Sequence, residues 1–570
     1  MPQSDMPQSD MPQSDIPQSG MPQPGMQELG IDDGGQYSLL STVPGPNMAQ
    51  YNEYTRASML NMPVPVYNGE SVKEAVDWKT LDLASILPQE YPPRILMVPI
   101  LQGVSIYPHG GQGCLNNWVD VSMTDAPKGS KPVKLLAIAP TSEQVGCCVA
   151  YDTVSCVLLF DPFHDRLILR NDCQHKISVI KLYGGYCTFV ESKESMELYP
   201  GEWKICSAFL GALVEFKVLG HTPFYHIIPS LPTKRSSESP KATPKKSRAL
   251  AGSSAAGTMI SQDTSSKNPL LNIVRGDVIN VGTGKDSYSL KRMEPISDLR
   301  DSDVWHGQHS QMSDKLVVVK VNKCGSRYKN ATVRSIENWM REVSIHSSLG
   351  SHNAILPYLG SDARFLSIYT EHVNSKDLTF HTGVDNRFNG NEMRAWRILG
   401  DVASALSFLH ENEILHSDIR LANILFDPVD GAVLKGFDHS SKEKTLILNT
   451  DAPWYLPPEF IFHPDKRDFA SDMWALGIVM MWVLHTLPMP EKQASWVIED
   501  IHKDGATCEA RQEATSTMYD WLGLVRSSKF KLREQGGELG EIVETLVQDG
   551  KDSRSDADSV LQRIRSCNLC

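Results

Sequence analysis

The stretch Ile414–Leu425 reads I-L-H-S-D-I-R-L-A-N-I-L and decides the interpretation of the chain. Asp418 lies five residues before Asn423, and apolar pairs stand on both sides. A carboxylate can accept or orient the proton of an attacking hydroxyl, and an amide oxygen can hold a metal ion without adding negative charge. A short loop fixed by apolar ends would present both groups to one phosphate. Taken alone, this spacing also fits an ordinary loop between a helix and a strand.

Three segments upstream of this loop have the texture of regular structure. Lys315–Val321 reads K-L-V-V-V-K-V, a run of β-branched residues that predicts a strand and contains Lys320. Trp339–Leu349 has a helical pattern, and Glu342 lies within it. Met393–Glu411 carries apolar residues at three- to four-residue spacing, which predicts one buried helix face leading into the loop.

The order of the motifs along the chain resembles that of eukaryotic protein kinases. The loop corresponds to H-R-D-L-x-x-x-N, and Phe365–Val373 is similar to the strand and hinge that contact adenine. Downstream, D-H-S takes the place of D-F-G, and other stretches resemble the A-P-E segment, the S-D-x-W-x-x-G helix opening and the region of a partner arginine. The resemblance covers about residues 290–566 and implies an α+β bilobal protein-kinase fold.

The resemblance implies a role for each matching residue. Asp418 would orient the substrate hydroxyl, and Arg420 would steady the transferring phosphoryl group. Lys320, held by Glu342, would neutralise ATP phosphates. Two side chains would hold Mg²⁺, namely Asn423 and Asp438. The ATP site would be lined by Lys320, Ser297, Leu299, Ser302, Val304, Thr370, Glu371, His372 and Val373, and the fold would be supported by Glu459, Asp472 and Arg554.

The sequence also departs from the kinase pattern. Ile296–Val304 stands where a glycine-rich loop is expected, yet it contains no glycine, and it places Asp301 and Asp303 close to the expected phosphates. This predicts weakened nucleotide affinity. Ser417 replaces the arginine that normally reads an activation-loop phosphate, and the bulky, polar His439 stands where an apolar ring usually packs.

The polar set at the predicted site is nevertheless complete, which favours an ATP-dependent protein kinase. Arg420, two residues after Asp418, occupies a position where kinases acting on Ser or Thr usually carry Lys, so we expect Ser/Thr rather than Tyr specificity. The alternative is a pseudokinase scaffold that keeps the fold and acts through its N-terminal domain. The glycine-free loop and the D-H-S triplet favour that alternative.

The chain divides by composition into four predicted parts. Residues 1–92 form a Pro/Gln/Ser-rich tail, predicted to be disordered, that begins with five-residue repeats, and residues 93–228 contain short strand patterns separated by turn residues. This second part predicts an all-β, sandwich-like domain. Residues 229–268 form a basic, Ser/Pro-rich linker, and residues 269–570 form the protein kinase domain.

The predicted β-domain faintly resembles a forkhead-associated domain, which binds phosphothreonine. Arg170 and Asn171 are the nearest candidates for reading a phosphate. The resemblance implies a phosphoprotein partner, and the alternative is a scaffolding domain for another protein. A third possibility is a nucleus-targeted adaptor whose β-domain reads phosphopeptides.

Composition limits the remaining classes of function. The net charge of −13 does not favour nucleic-acid binding, and no apolar run is long enough for a transmembrane helix. The N-terminus lacks the charged start and apolar core of a secretory signal, and the 11 scattered cysteines fit a reducing compartment. Basic clusters in the linker resemble a bipartite nuclear signal, so we expect a cytoplasmic or nuclear protein.

Overall fold

The computed structural model describes residues 76–86, 92–110, 117–124, 131–230, 268–282, 286–312, 315–324, 330–383, 385–442, 452–464 and 467–567. The five-residue repeats and the basic clusters of the linker lie outside these residues. Among the described helices, none combines the length and the apolar character needed to cross a membrane.

The N-terminal part of the described chain consists of strands in two antiparallel sheets. The strands are β1 (Ile95–Pro99), β2 (Ser105–His109), β3 (Trp118–Val121), β4 (Val133–Ile138), β5 (Gly146–Tyr151), β6 (Val154–Phe160), β7 (Leu167–Asn171), β8 (Ile177–Lys181), β9 (Cys187–Val190), β10 (Ser195–Leu198), β11 (Gly201–Ser207) and β12 (Gly211–Val218). One sheet has the order β3-β4-β1-β12-β11-β8-β9 and the other has the order β10-β7-β6-β5-β2. We call β1–β12 the β-unit.

The two sheets of the β-unit share one apolar core. Met97 and Phe216 from the first sheet belong to the same buried cluster as Val149 and Leu158 from the second. Successive side chains of a strand point to opposite faces, so strands such as β1 and β6 contribute every second residue to this cluster. The β-rich prediction for this region agrees with the structure.

Two predicted boundaries differ from the structure. Val76 and Trp78, within the region predicted to be a disordered tail, are buried against the β-unit together with residues of β4. The segment carries several apolar residues, but its sequence gave no sign of which part of the chain it packs against. At the other end, Tyr225–Ile228 pairs with Val278–Val281 and therefore adds to the sheet of the C-terminal half. A four-residue apolar pattern cannot specify which sheet a strand joins.

The C-terminal half begins with a seven-stranded antiparallel sheet within the described residues. Its strands are β13 (Tyr225–Ile228), β14 (Val278–Val281), β15 (Tyr288–Asp298), β16 (Ser302–His309), β17 (Leu316–Asn322), β18 (Tyr358–Asp362) and β19 (Ser367–Glu371), in the order β13-β14-β15-β16-β17-β19-β18. Helix α1 (Ala331–Ser348) connects β17 to β18. Trp339 of α1 is buried and donates a hydrogen bond through Nε1 to the carbonyl of Ser367, at 3.0 Å, which fixes the helix against the sheet.

The rest of the chain is mainly helical. A small sheet contains β20 (Lys376–Asp377), β21 (Ile424–Asp427) and β22 (Gly431–Leu434), and the helices are α2 (Glu392–Glu411), α3 (Phe469–Val483), α4 (Cys508–Gln535), α5 (Gly537–Leu546) and α6 (Ala557–Ser566). Helix α3 is apolar on nearly all sides and lies inside one large core cluster. The loop that contains Asp418 runs between α2 and β21, so both neighbours anchor its ends.

Candidate active site

A buried ion pair joins the sheet to helix α1. Lys320 lies in β17 and donates hydrogen bonds through Nζ to both carboxylate oxygens of Glu342, at 2.9 and 2.8 Å. Asp438 Oδ2 lies 3.8 Å from the same nitrogen. Burial acts to lower the pKa of Lys320, but the carboxylates of Asp438 and Glu342 outweigh it and raise that pKa. Lys320 therefore carries a stable positive charge at the opening between the sheet and the helical part.

The loop that carries Asp418 is fixed by a buried carboxylate. Asp472 of α3 accepts hydrogen bonds from the backbone N–H groups of His416 and Ser417, each at 2.9 Å. Ser417 has a φ of 64°, a left-handed conformation that a serine adopts only when its surroundings hold it there. Although burial opposes it, the hydrogen bond from His410 lowers the pKa of Asp472. Asp472 thus stays ionised and holds the loop in its strained shape.

Asp418 is held by two neighbours from its own loop. Asn423 donates through Nδ2 to the backbone oxygen of Asp418 at 2.8 Å and to its Oδ2 at 2.6 Å. Arg420 Nε lies 3.2 Å from the same Oδ2. Burial raises the pKa of the Asp418 carboxyl, and the charges of Arg420 and His439 act against that rise. A buried carboxylate with a raised pKa is suited to accepting a proton.

Donor atoms that could hold a cation meet beside this carboxylate. One donor atom from each of Asp418, Asp438 and His439 lies within 4.8 Å of the others. Burial acts to raise the pKa of Asp438, but Lys320 and His439 outweigh it and lower that pKa, so the carboxylate is ionised. The amide nitrogen of Asn423 is used by Asp418, which leaves its oxygen as the donor for a cation. Carboxylate and amide oxygens fit Mg²⁺.

Glycine is required at one position of this site. Gly436 has a φ of +86°, and a Cβ atom there would lie 2.8 Å from the amide carbon and oxygen of Asn423. Any side chain at this position would displace Asn423 from Asp418. The sequence did not single out Gly436, although a glycine close to a predicted metal ligand could have drawn attention to it.

A column of aromatic rings links the loop, the predicted metal ligand and helix α1. The ring of Phe437 lies 5.2 Å from that of His416 and 4.6 Å from that of His346, which in turn lies 5.4 Å from Tyr358. His439 takes the sequence position where an apolar ring usually packs, and Phe437, on the other side of Asp438, was not predicted to contribute. Phe437 is fully buried and supplies the ring, which reduces the importance of the change to histidine.

The glycine-free segment forms a tight hairpin between β15 and β16. The N–H of Leu299 donates to the carbonyl of Ser302 at 2.9 Å, and Lys323 ties the tip to β17 through the Leu299 carbonyl, at 2.6 Å, and the Asp298 carboxylate. Asp303 was predicted to repel phosphates, but it is buried and accepts a hydrogen bond from Arg292 at 2.9 Å. The sequence did not reveal this pairing, which offsets the charge of Asp303.

The other predicted ATP-site residues occupy several positions along this sheet. Ser297 faces Val304 across the hairpin, and Val304 faces Lys320 across β16 and β17. Thr370 is buried in β19, whereas Glu371 forms an exposed ion pair with Lys315 at 3.3 Å. The ring of His372 lies 4.6 Å from that of His306. Val304 and Lys320 are therefore direct neighbours on adjacent strands. Thr370 lies on β19, two strands away from β16.

A second buried ion pair supports the helical part. Arg554 donates through Nη1 and Nη2 to the two carboxylate oxygens of Glu459, at 2.7 and 2.6 Å. The guanidinium also lies over the ring of Trp474 in α3, 5.0 Å from its centroid. This pair fixes the segment that follows the site to the central helix.

The pair that was predicted to read a phosphate is fully engaged within the protein. Arg170 donates to Asp172 through Nε at 2.8 Å and through Nη2 at 2.9 Å, and it also forms an ion pair with Glu337 of α1. Asn171 is fully buried, and its Nδ2 donates to the backbone oxygens of His175 and Val190. The phosphate-reading role predicted for these two residues was therefore wrong. Side-chain partners distant in sequence could not be read from the local pattern.

Comparisons with known proteins find similarity over the part of the chain that carries the site. Residues 302–563, a little under half of the chain, match the protein kinase domain. The chain is similar to mitogen-activated protein kinase kinase kinase A of Dictyostelium discoideum, with 30% identity over 152 residues, 26% of this chain and 16% of that protein.

Two further relatives match with comparable identity. Serine/threonine-protein kinase Sgk2 of Rattus norvegicus is 35% identical over 122 residues, 21% of this chain and 32% of the relative. Mitogen-activated protein kinase kinase kinase YODA of Arabidopsis thaliana is 26% identical over 190 residues, 32% of this chain and 21% of the relative. The chain thus spans at most about a third of the length of these three relatives. Residues 302–563 of the chain are therefore similar to protein kinase domains.

Proposed function

We propose that this domain transfers the γ-phosphate of ATP to Ser or Thr residues of protein substrates. The observation that carries the proposal is a chain of contacts. Lys320, paired with Glu342, lies beside Asp438, and Asp438 lies close to Asp418, which Asn423 holds. Substrate proteins supply the hydroxyl. Ser/Thr specificity is supported by Arg420 and by the similarity to serine/threonine-protein kinase Sgk2 of Rattus norvegicus.

Each residue would act through its position and charge. Burial raises the pKa of Asp418. This carboxylate would accept the proton of the attacking hydroxyl while the hydroxyl oxygen forms its bond to the γ-phosphorus. The bond to the bridging oxygen of ADP would break at the same time. Lys320 would pair with ATP phosphates, and Arg420 would balance charge near the transferring group. Mg²⁺ held by Asp438 and Asn423 would neutralise phosphate charge.

The experiment is a phosphotransfer assay on the full chain with labelled ATP, Mg²⁺ and general protein substrates. Asp418→Ala should abolish transfer and leave the fold intact, because the side chain would act on the attacking hydroxyl. Asp430→Ala is the matched control, since Asp430 is an exposed aspartate on the β21–β22 turn. Equal activity of Asp418→Ala and the control would reject the assignment.

A pseudokinase scaffold is the second candidate function. The observation that favours it is the hairpin tip, which lacks glycine and is tied down by Lys323 where a phosphate-binding loop is expected. Thermal unfolding with and without ATP and Mg²⁺ separates the two functions. Binding at 100- to 1,000-fold excess over the dissociation constant should stabilise the protein by roughly 2 to 4 kcal/mol. No shift at millimolar ATP would favour the scaffold.

A further inference from the structure

Helix α1 is covered on two opposite sides. Glu342 faces Lys320, and Val333 lies nine residues earlier. At about 100° per residue, that separation places Val333 about 180° around the helix from Glu342. Val333 and Ile336 are nevertheless buried, and Met340 is partly buried in the same cluster. The cluster that buries this side contains Ile368 of β19 and also residues from outside the sheet that carries Lys320.

The covering element is the second sheet of the β-unit. Val157 and Leu159 of β6 share a buried cluster with Val333 and Ile336 of α1, whereas Cys156 and Leu158 of the same strand belong to the internal core. The alternation also holds in β5 and β7, where Cys148 and Ile168 belong to the shared cluster. This sheet is therefore apolar on both faces, and its outer face packs against α1.

Polar contacts fix the orientation of the two parts. Arg170 of β7 forms an ion pair with Glu337 of α1, and only 9% and 22% of the two side chains are exposed. The N–H of Ala363 in the C-terminal half donates to the carbonyl of Ser142 in the β-unit at 2.7 Å. Strand β13 is the next strand after β12, and it joins the seven-stranded sheet that carries Lys320. The polypeptide backbone therefore links the two parts closely.

We propose that the β-unit positions α1, and that Arg170 acts through Glu337 as a positioning residue for the Lys320–Glu342 ion pair. The helix is held between two sheets, so a displacement of its outer face must move Glu342 on its inner face. Another part of the same chain, the β-unit, would then hold α1 in the position that the Lys320–Glu342 ion pair requires. The measurement of nucleotide binding rests on the proposed function, whereas the measurement of hydrogen exchange in α1 does not.

The test compares charge reversals on one helix of the full chain. Glu337→Arg places a second guanidinium beside Arg170, and the matched control Arg334→Glu reverses an exposed charge one turn away. Amide hydrogen exchange in Ala331–Ser348 should become faster in Glu337→Arg and remain unchanged in the control. Glu337→Asp keeps the charge and should restore protection. Unchanged exchange in Glu337→Arg, or equal changes in both reversals, would overturn the proposal.

A second readout asks whether the effect passes through Glu342. Glu337→Arg should weaken binding of ATP with Mg²⁺ by about fivefold or more, at the lower end of measured couplings between sites. In a Glu342→Gln background the same change should have no further effect, because the ion pair is already broken. An additive effect would contradict positioning through Glu342. If the parent chain binds no ATP, the proposed function fails, and the exchange result still decides this inference.

Discussion

Neutralising Glu459 should destabilise the helical part of the kinase domain strongly. The side chain of Arg554 is fully buried. The side chain of Glu459 is 16% exposed and accepts hydrogen bonds from Nη1 and Nη2 of Arg554. In Glu459→Gln the guanidinium would remain buried with backbone carbonyls and no carboxylate. Removing one partner of a buried pair typically costs about 3–5 kcal/mol. Glutamine keeps the shape and one acceptor, so we expect about 3 kcal/mol.

The measurement is thermal unfolding of the full chain, followed by tryptophan fluorescence. Trp474 lies directly beneath Arg554 and reports the relevant transition. For a domain of this size, about 3 kcal/mol corresponds to a fall in Tm of roughly 6–12 °C. The size of the fall follows from burial of the arginine, so a pair of the same geometry with an exposed arginine provides the comparison.

Arg533 and Glu544 form that comparison pair. Arg533 donates to both carboxylate oxygens of Glu544, but 67% of its side chain is exposed. Water replaces the partner of an exposed charge when the pair is broken, so Glu544→Gln should shift the transition little. Equal shifts in the two variants, or a fall of less than about 2 °C in Glu459→Gln, would refute the reasoning.

Two further predictions follow from charges elsewhere in the chain. Asp301→Gly should tighten binding of ATP with Mg²⁺ in a thermal-shift titration, because it removes an exposed carboxylate at the hairpin and adds backbone freedom; unchanged or weaker binding would contradict this. Acidification from pH 7 to pH 5 should lower the urea midpoint, because burial lowers the pKa of His109, His309 and His346 to about 4 from 6.5. As the pH falls, the histidines of the unfolded chain take up protons first. Each histidine therefore leaves the free energy of unfolding unchanged above pH 6.5 and lowers it by about 1.4 kcal/mol per pH unit from there toward pH 4. A constant or rising urea midpoint would contradict this.

The spacing of residues made the candidate site partly readable from the sequence. Asp418 and Asn423 belong to one short loop, so covalent geometry limits where they can lie relative to each other. Lys320 and Glu342 lie in a strand and the helix that follows it, and the structure places them within hydrogen-bonding distance. Their action on ATP stays a prediction. Phe437 was overlooked because a ring one position away from a motif can fill the same space from the other side.

The packing of the β-unit could not be read in the same way. Residues 154–160 read V-S-C-V-L-L-F, and the apolar run from Val157 to Phe160 shows no alternation. Such a run is typical of a strand buried on both faces. The pattern therefore carried a sign that something covers the outer face, but it held no information on which helix does so. Arg170 and Glu337 are far apart in sequence, and only the folded chain shows that they meet.

The glycine-free hairpin favours a pseudokinase scaffold, whereas the polar set around Lys320 and Asp418 favours an active kinase. The contacts of the hairpin show how strongly it would oppose nucleotide binding. Asp303 is neutralised by Arg292, and Lys323 brings positive charge to the tip. The repulsion that the sequence predicts for ATP phosphates is therefore reduced to Asp301. The hairpin lacks glycine, and Lys323 donates a hydrogen bond to the Leu299 carbonyl at its tip. A nucleotide would thus depend mainly on the charge of Lys320, whose place is set by Glu342 and, through α1, by the β-unit. This dependence explains why nucleotide affinity should respond more to the outer face of α1 than to the hairpin.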